Sequence, residues 1–253
     1  MGYRLIDTAQ VYRNEDMVGA AVADLIADGT VRRQDLFITT KIAPNKQGAG
    51  KAYDSVLASR AALQVNVIDL VLVHWPGAAK IKPDSPENAR LRRETWLELE
   101  RAVLDGLVRY IGVSNYTAAH VRELLSYCTI RPAALQMELH PAYQPADVLD
   151  MCKTAGIFVQ AYSSLGEGHL LDEKAWPMPV VQEAASKRGA TRAQVLLAWA
   201  RHRGWGTVPK STRDERLAEN LASGRIDLTE EEVVGINALA CDFKFCWNPN
   251  VVR

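Results

Sequence analysis

The chain has 253 residues, 48% hydrophobic and 24% charged, the balance of an ordinary globular protein with room for one large α/β domain or two small ones. Thirty basic residues against thirty acidic ones leave no net charge, which argues against nucleic acid or an anionic membrane surface as a partner. No apolar run approaches the ~20 residues of a membrane helix, and Cys128, Cys152, Cys241 and Cys246 form neither a CxxC pair nor a metal spacing. They read as reduced thiols, so a cytoplasmic protein is expected. A strand-like pattern begins at Tyr3 and Leu5, so no signal peptide is expected. Ile6 stands where a myristoylation motif after Gly2 wants Ser or Thr.

In chain order, Arg4-Leu-Ile-Asp7-Thr8 reads as a short strand ending on a carboxylate. Asn14 is positioned to cap a helix with an apolar stripe of Met17, Val18, Ala21, Val22, Leu25 and Ile26, closed by Gly29. Leu36 to Lys41 is a second strand, ending on a lysine, and a helix through Tyr53, Val56, Leu57, Arg60 and Leu63 follows. In Asp69-Leu-Val-Leu-Val73, Val71 and Val73 alternate with Leu70 and Leu72 in a short apolar run, the pattern of a strand buried on both faces. It delivers His74 and Trp75 at its end, and Pro76 stops the ladder. A Pro-containing loop over 77–90 leads to a helix marked by Trp96, Leu99, Val103 and Leu107.

The alternation continues. Strands are expected at Arg109–Ser114, Ala134–Glu138, Ile157–Ser163 and Gly206–Pro209. Helices are expected around Val121 to Leu125, after Pro145 through Val148, Leu149 and Cys152, and over Val180–Lys187. The sets Thr191-x-x-Gln194, Thr212-x-x-Glu215 and Thr229-x-x-Glu232 predict three more helix starts with capping boxes. The segment from Cys241 to Arg253 reads as irregular. Seven strand-then-helix units with no linker argue for one domain, 1–253, built on a parallel sheet with helical crossovers. No strand is followed by G-x-G-x-x-G, and Gly48-Ala-Gly50-Lys51 does not complete a P-loop. The better fit is a (β/α)8 TIM-type barrel short of one unit.

In such a barrel the carboxyl ends of the strands carry the chemistry. Three successive strands end on Asp7, Lys41 and His74, with Tyr12 in the loop after the first. Taken singly, each has a dull alternative: a turn aspartate, a half-buried tyrosine, a snorkelling lysine, a satisfied structural histidine. Converging, they make a proton donor. A buried ammonium beside a phenol is expected to lower the phenol pKa from ~10 toward working pH, and a carboxylate beside the ammonium to keep it charged. A phenol tuned in that way can protonate a carbonyl oxygen while His74 orients or polarises it.

The segments Gly2-Tyr-Arg-Leu-Ile-Asp-Thr-Ala-Gln-Val-Tyr-Arg-Asn-Glu15, Ile38–Lys41, His74-Trp-Pro76, Ile111-Gly-Val-Ser-Asn115, Gln136-x-Glu-x-His-Pro141, Val208-Pro-Lys-Ser211 and Arg216-x-x-Glu-Asn220 resemble the aldo-keto reductase family, in family order and over nearly the whole chain. The resemblance implies that Asp7, Tyr12, Lys41 and His74 are the catalytic tetrad, with Tyr12 the general acid. It further implies that Ser114, Asn115 and Gln136 hydrogen-bond the nicotinamide carboxamide of NADPH. Tyr162 would stack on the ring, and Ser163 and Leu165 would line the pyrophosphate path. Lys210, Ser211 and Arg216 match the cradle of the adenosine 2′-phosphate, with Glu219 and Asn220 at the adenine. Two cations suit a phosphate dianion, so NADPH is expected over NADH.

Trp75 is expected to wall a small-molecule carbonyl pocket. The short loop 166–176 and the short segment after Cys241 look more like reductases of small aldehydes, glyoxals and keto-sugars than like steroid dehydrogenases. Phe243, Phe245 and Trp247 either cap that pocket or pack into the core. Members of the family normally carry a hairpin and a first βα unit before the Gly-Tyr-Arg segment. Their absence here predicts two unpaired strand edges. The expected alternative to a reductase is therefore a cofactor-binding or structural member of the fold with weak activity or none. A monomer is the family habit, and an open seam would permit self-association.

Overall fold

The structure, a computed structural model, describes residues 1–253 and divides into two compact units. One holds residues 3–135 and 249–253, the other residues 1–2 and 136–248. Seven parallel strands neighbour one another in chain order, each followed by helical chain, which is the α/β class expected from the alternation.

The first unit contains β1 (Leu5–Asp7), α1 (Glu15–Ala27), β2 (Phe37–Ile42), α2 (Lys51–Ala62), β3 (Ile68–Val73), α3 (Glu87–Leu104), β4 (Val108–Ser114), α4 (Ala118–Tyr127) and the opening residues of β5 (Ala134–Glu138). Every residue of β3 is buried: Leu70 to Val73 as their apolar run requires, and Asp69 through its ion pair with Arg33 and the bond it accepts from Ile38 N. Each Leu or Val removed from water there contributes roughly 1.5–3 kcal/mol. The registers Asp7↔Thr39, Lys41↔Leu72 and Val73↔Val113 set the carboxyl ends of β1 to β4 side by side. Gly112 lets β4 sit close to its neighbours: a Cβ there would lie 2.4 Å from the Ala134 oxygen and 2.8 Å from the Leu72 side chain.

The α1 stripe differs from the expectation. Met17, Leu25 and Ile26 are exposed, and only Gly19 and Val22 are buried. The helix meets α2 through Gly19, where a Cβ would fall 2.3 Å from the Ala62 oxygen. Close backbone approach at a glycine, rather than the largest side chains, therefore selects the inward face. In α2 the same logic favours Ala52, Ser55, Val56 and Ser59, leaving Leu57 exposed. Asn14 does not cap α1 with its side chain; its Oδ1 accepts from the Thr8 hydroxyl at 2.6 Å instead.

The second unit contains the remainder of β5, then α5 (Ala146–Ala155), β6 (Phe158–Tyr162), α6 (Pro179–Arg188), α7 (Arg192–His202), β7 (Gly206–Thr207), α8 (Asp214–Ala222) and α9 (Glu230–Asn237). Its core gathers Val181, Ala184, Val195, Leu196, Trp199, Val233 and Ile236, and the Trp199 indole donates to Asn237 Oδ1 at 2.8 Å. The capping boxes at Thr191 and Thr229 form as the spacing predicts. The one at Thr212 does not. The helix starts a residue later, after Arg213, because Ser211 Oγ takes the Arg213 N–H and closes a turn of its own.

Candidate active site

Asp7, Tyr12, Lys41 and His74 all lie in the first unit, at or just beyond the ends of β1, β2 and β3. Lys41 is fully buried, and its Nζ donates to Asp7 Oδ1 at 2.5 Å and to the Thr8 carbonyl at 3.0 Å. The same ammonium sits 5.1 Å from the Tyr12 ring centroid. Tyr12 follows β1 on a tight 3₁₀ turn, Gln10–Tyr12, closed by Arg13 in the left-handed region (φ 55°). Its ring meets His74 edge-on, with centroids 5.8 Å apart and planes at 87°. Trp75 stacks beside His74 at 6.1 Å and 20°. Four chemistry-bearing side chains thus converge, and the Tyr12 hydroxyl donates to no protein group.

The electrostatics correct one expectation. Tyr12 is not acidified: partial burial first, and the Asp7 carboxylate second, push its pKa up to about 12. Half of the residue is open to solvent, which screens part of that effect. The lysine does not win because its charge is already bonded to Asp7. Burial pulls the Lys41 ammonium itself down against the opposing pull of Asp7. His74 falls to about 4 through burial first and the Lys41 charge second, so its imidazole is neutral at neutral pH.

Side chains that sequence patterns did not single out hold this arrangement. Gln10 spans two elements: its Oε1 accepts from Ala43 N at 2.8 Å, and its Nε2 donates to Ser55 O and to Ser59 Oγ. Glu15 accepts from Thr40 Oγ1 at 2.6 Å and from Ser59 Oγ at 3.2 Å. Both tie the Tyr12 turn to β2 and α2. The one available signal was a polar side chain on each side of Tyr12, which periodicity does not read. The Gly48-Ala-Gly50 loop is not a phosphate cradle, since its three N–H groups already donate to Thr95, Glu94 and Glu98.

Of the residues expected at a cofactor, Ser114 and Asn115 lie in the first unit. Both are buried, and Asn115 (φ 63°) donates to His74 O at 2.9 Å and to Ser114 Oγ at 3.2 Å. The others lie in the second unit. Gln136 is buried and donates to Gln160 Oε1 at 2.6 Å. Tyr162 is half-buried at the end of β6, and Ser163 (φ 47°) donates to Glu167 with Cys246 Sγ 3.5 Å away. Leu165 opens the 3₁₀ segment Gly166–Leu171. Lys210 and Arg216 are exposed on either side of the Ser211 turn, and neither forms an ion pair. Glu219 accepts from the Thr191 hydroxyl at 2.5 Å, and Asn220 is buried.

Phe243 and Phe245, after Cys241, enter a cluster within their own unit. Phe245 stacks on His169, tilts against His140 and Trp176, and meets Phe243 edge-on. Phe243 and Trp247 stay about half exposed.

The model of the aldo/keto reductase family matches residues 1–240 of the chain. The chain is 38% identical over 253 residues to the glyoxal reductase of Bacillus subtilis, covering 98% of this chain and 83% of that protein. It is 37% identical over 269 residues to an NAD(P)H-dependent D-xylose reductase of Hypocrea jecorina, covering 96% and 83%. The crystal structure of a Bombyx mori aldo-keto reductase in complex with NADP superposes with a TM-score of 0.86 at 33% identity, over 98% of this chain and 82% of that one. The expected fold class, seven βα units of a (β/α)8-type architecture, accords with that likeness. By sequence, by fold and by the groups gathered at the ends of its first three strands, this chain belongs to the aldo/keto reductase family.

Proposed function

We propose that the protein is an NADPH-dependent reductase of small aldehydes and ketones, with Tyr12 as the general acid. The observation that carries the reading is the convergence of Tyr12 and His74 above a fully buried Lys41 bonded to Asp7. An ordinary surface lysine has no reason to be taken out of water beneath a tyrosine. The relatives' names support the substrate class: one reduces glyoxal and another D-xylose, both small carbonyl compounds.

The chemistry that a bound NADPH supplies is a hydride for the carbonyl carbon. The rest is work for the chain's own residues. Tyr12 keeps its proton at neutral pH, and its hydroxyl is not engaged by any protein group. Even a phenol raised to about 12 is a far stronger acid than the product alcohol, so proton donation to the alkoxide as it forms is downhill. Neutral His74 can donate a hydrogen bond to the same oxygen without repelling Lys41. Asp7 fixes the ammonium in place, and Trp75 gives the substrate an apolar wall.

The donor set fits a phosphorylated dinucleotide. Lys210 and Arg216 are cations that the protein leaves unneutralised next to a serine hydroxyl, which is what a 2′-phosphate requires. Ser114, Asn115 and Gln136 would serve the carboxamide, Tyr162 the ring face, Ser163 and Leu165 the pyrophosphate, and Glu219 and Asn220 the adenine. The test is NADPH oxidation with a reactive aromatic aldehyde, repeated with Tyr12→Phe. Loss of one general acid is expected to lower kcat about 10²- to 10⁴-fold. Equal turnover by the two proteins sinks the assignment.

A further inference from the structure

His74 has an incomplete support of its own. Its Nδ1 is buried and has no hydrogen-bond partner. A functional imidazole is normally oriented by a bond from its second nitrogen to a carbonyl or carboxylate. Here the ring lacks that bond and is steadied only by ring contacts with Tyr12 and Trp75. Its direction must therefore come from the backbone that carries it.

That backbone is held in an unusual way. Four consecutive carbonyls, residues 74 to 77, each accept a hydrogen bond from a buried side chain. Asn115 Nδ2 donates to His74 O at 2.9 Å, and Gln47 Nε2 to Trp75 O at 2.8 Å and Gly77 O at 3.2 Å. Arg92 Nη1 donates to Pro76 O at 3.2 Å. The three donors are at most 4% exposed, and they come from the loop after β2, from α3 and from the end of β4. Arg92 also forks onto Glu123 and reaches the Arg253 carbonyl oxygen at 3.0 Å. Residues 249–253 are thereby fastened to the same loop, with His120 Nε2 3.1 Å from Val252 O and Val252 lying against Gly77.

We propose that Gln47 and Arg92 are positioning residues for His74, orienting its imidazole through the carbonyls of residues 75 to 77 in place of the missing bond at Nδ1. A desolvated guanidinium with four of its five donors spent on two backbone oxygens and one carboxylate is rigid in a way that a packed apolar residue is not. Gln47 offers the cleaner variant. Its Oε1 is buried without a partner, so replacement by leucine removes an orphan acceptor together with the two donated bonds.

The kinetic arm of the test rests on the reductase reading above. With NADPH and an aromatic aldehyde, Gln47→Leu and Arg92→Met should each lower kcat about 10- to 100-fold while the aldehyde KM stays within about 2-fold, the mark of a group misplaced at the transition state. Arg92→Lys, which keeps a donor for Pro76 O, should recover part of the loss. A second arm needs no turnover: the ring signals of His74 in 1H–15N spectra should shift in both variants at temperatures where circular dichroism reports a folded chain. If both variants lose melting temperature yet keep kcat and the His74 signals, the two side chains only stabilise the fold and the proposal is overturned. Shifted His74 signals in a chain that reduces no carbonyl would refute the reductase reading and leave this one standing.

Discussion

A phenol that is to hand over a proton must hold it at the working pH, and Tyr12 does. The proximity of a cation suggests an acidified tyrosine, but geometry decides otherwise. The Lys41 charge is bound to Asp7, and that carboxylate raises the phenol rather than lowering it. The sign is simple: an acid with a raised pKa is fully protonated at every pH below it. Reduction by the wild-type chain should therefore show no alkaline limb from Tyr12 below about pH 10. A limb near pH 8 in kcat would mean that the phenol is acidified after all. At the other end of the expected cofactor, Lys210 and Arg216 act as charges in water. Arg216→Ala should raise the KM for NADPH about 10-fold or more while leaving that for NADH unchanged, because only the former presents a 2′-phosphate. Equal effects on both would remove the phosphate assignment.

Among the elements, β5 does more than its five residues suggest. Its last residue, Glu138, is 1% exposed and anchors the segment after Cys241. One oxygen accepts from Phe245 N at 2.6 Å, from Cys246 N at 3.2 Å and from His140, and the other from Lys244 at 2.5 Å. Burial alone would raise this carboxyl. The bonds from His140, Lys244 and the Phe245 amide outweigh it and hold the group at about 2. A depressed carboxyl stabilises the fold above its unfolded value and gives up that contribution as pH falls toward 2. Glu138→Gln should cost at least about 2 kcal/mol, since it breaks a buried pair and leaves Lys244 without its counter-charge. Hydrogen exchange at the Phe245 and Cys246 amides should quicken first. Unchanged exchange there would show that the aromatic packing around Trp176 holds the segment by itself.

For the molecule as a whole, acid is the predicted weakness. His74 and His120 are each lowered to about 4 by burial first, then by Lys41 and by Arg92 respectively. In the unfolded chain both titrate near 6.5. Between those values the unfolded state binds more protons, so stability is fully present above about pH 6.5 and lost on acidification toward 4. The loss is on the order of 3 kcal/mol per histidine. The melting temperature should fall steeply from pH 7 to pH 4.5, and His120→Asn should flatten the slope. A melting temperature constant over that range would contradict the burial of both rings. Both histidines belong to the same compact unit, so that unit should open first.

What the chain's sequence determined by itself is the order of its parts. An apolar run of four residues, Leu70 to Val73, made β3 unmistakable, the Thr191 and Thr229 spacings set two helix starts, and Asp7, Lys41 and His74 fell at the ends of consecutive strands. Periodicity reads such features because they repeat over a few neighbouring residues. The tertiary structure alone decided which face of α1 turns inward, since a glycine contact outweighs a stripe of larger side chains. It decided the direction in which Tyr12 titrates, since that depends on where an ion pair's charge is spent. It also brought Gln47, Arg92 and Asn115 onto four consecutive carbonyls. Those residues are separated by more than twenty positions along the chain, and only folding gives such distances a meaning.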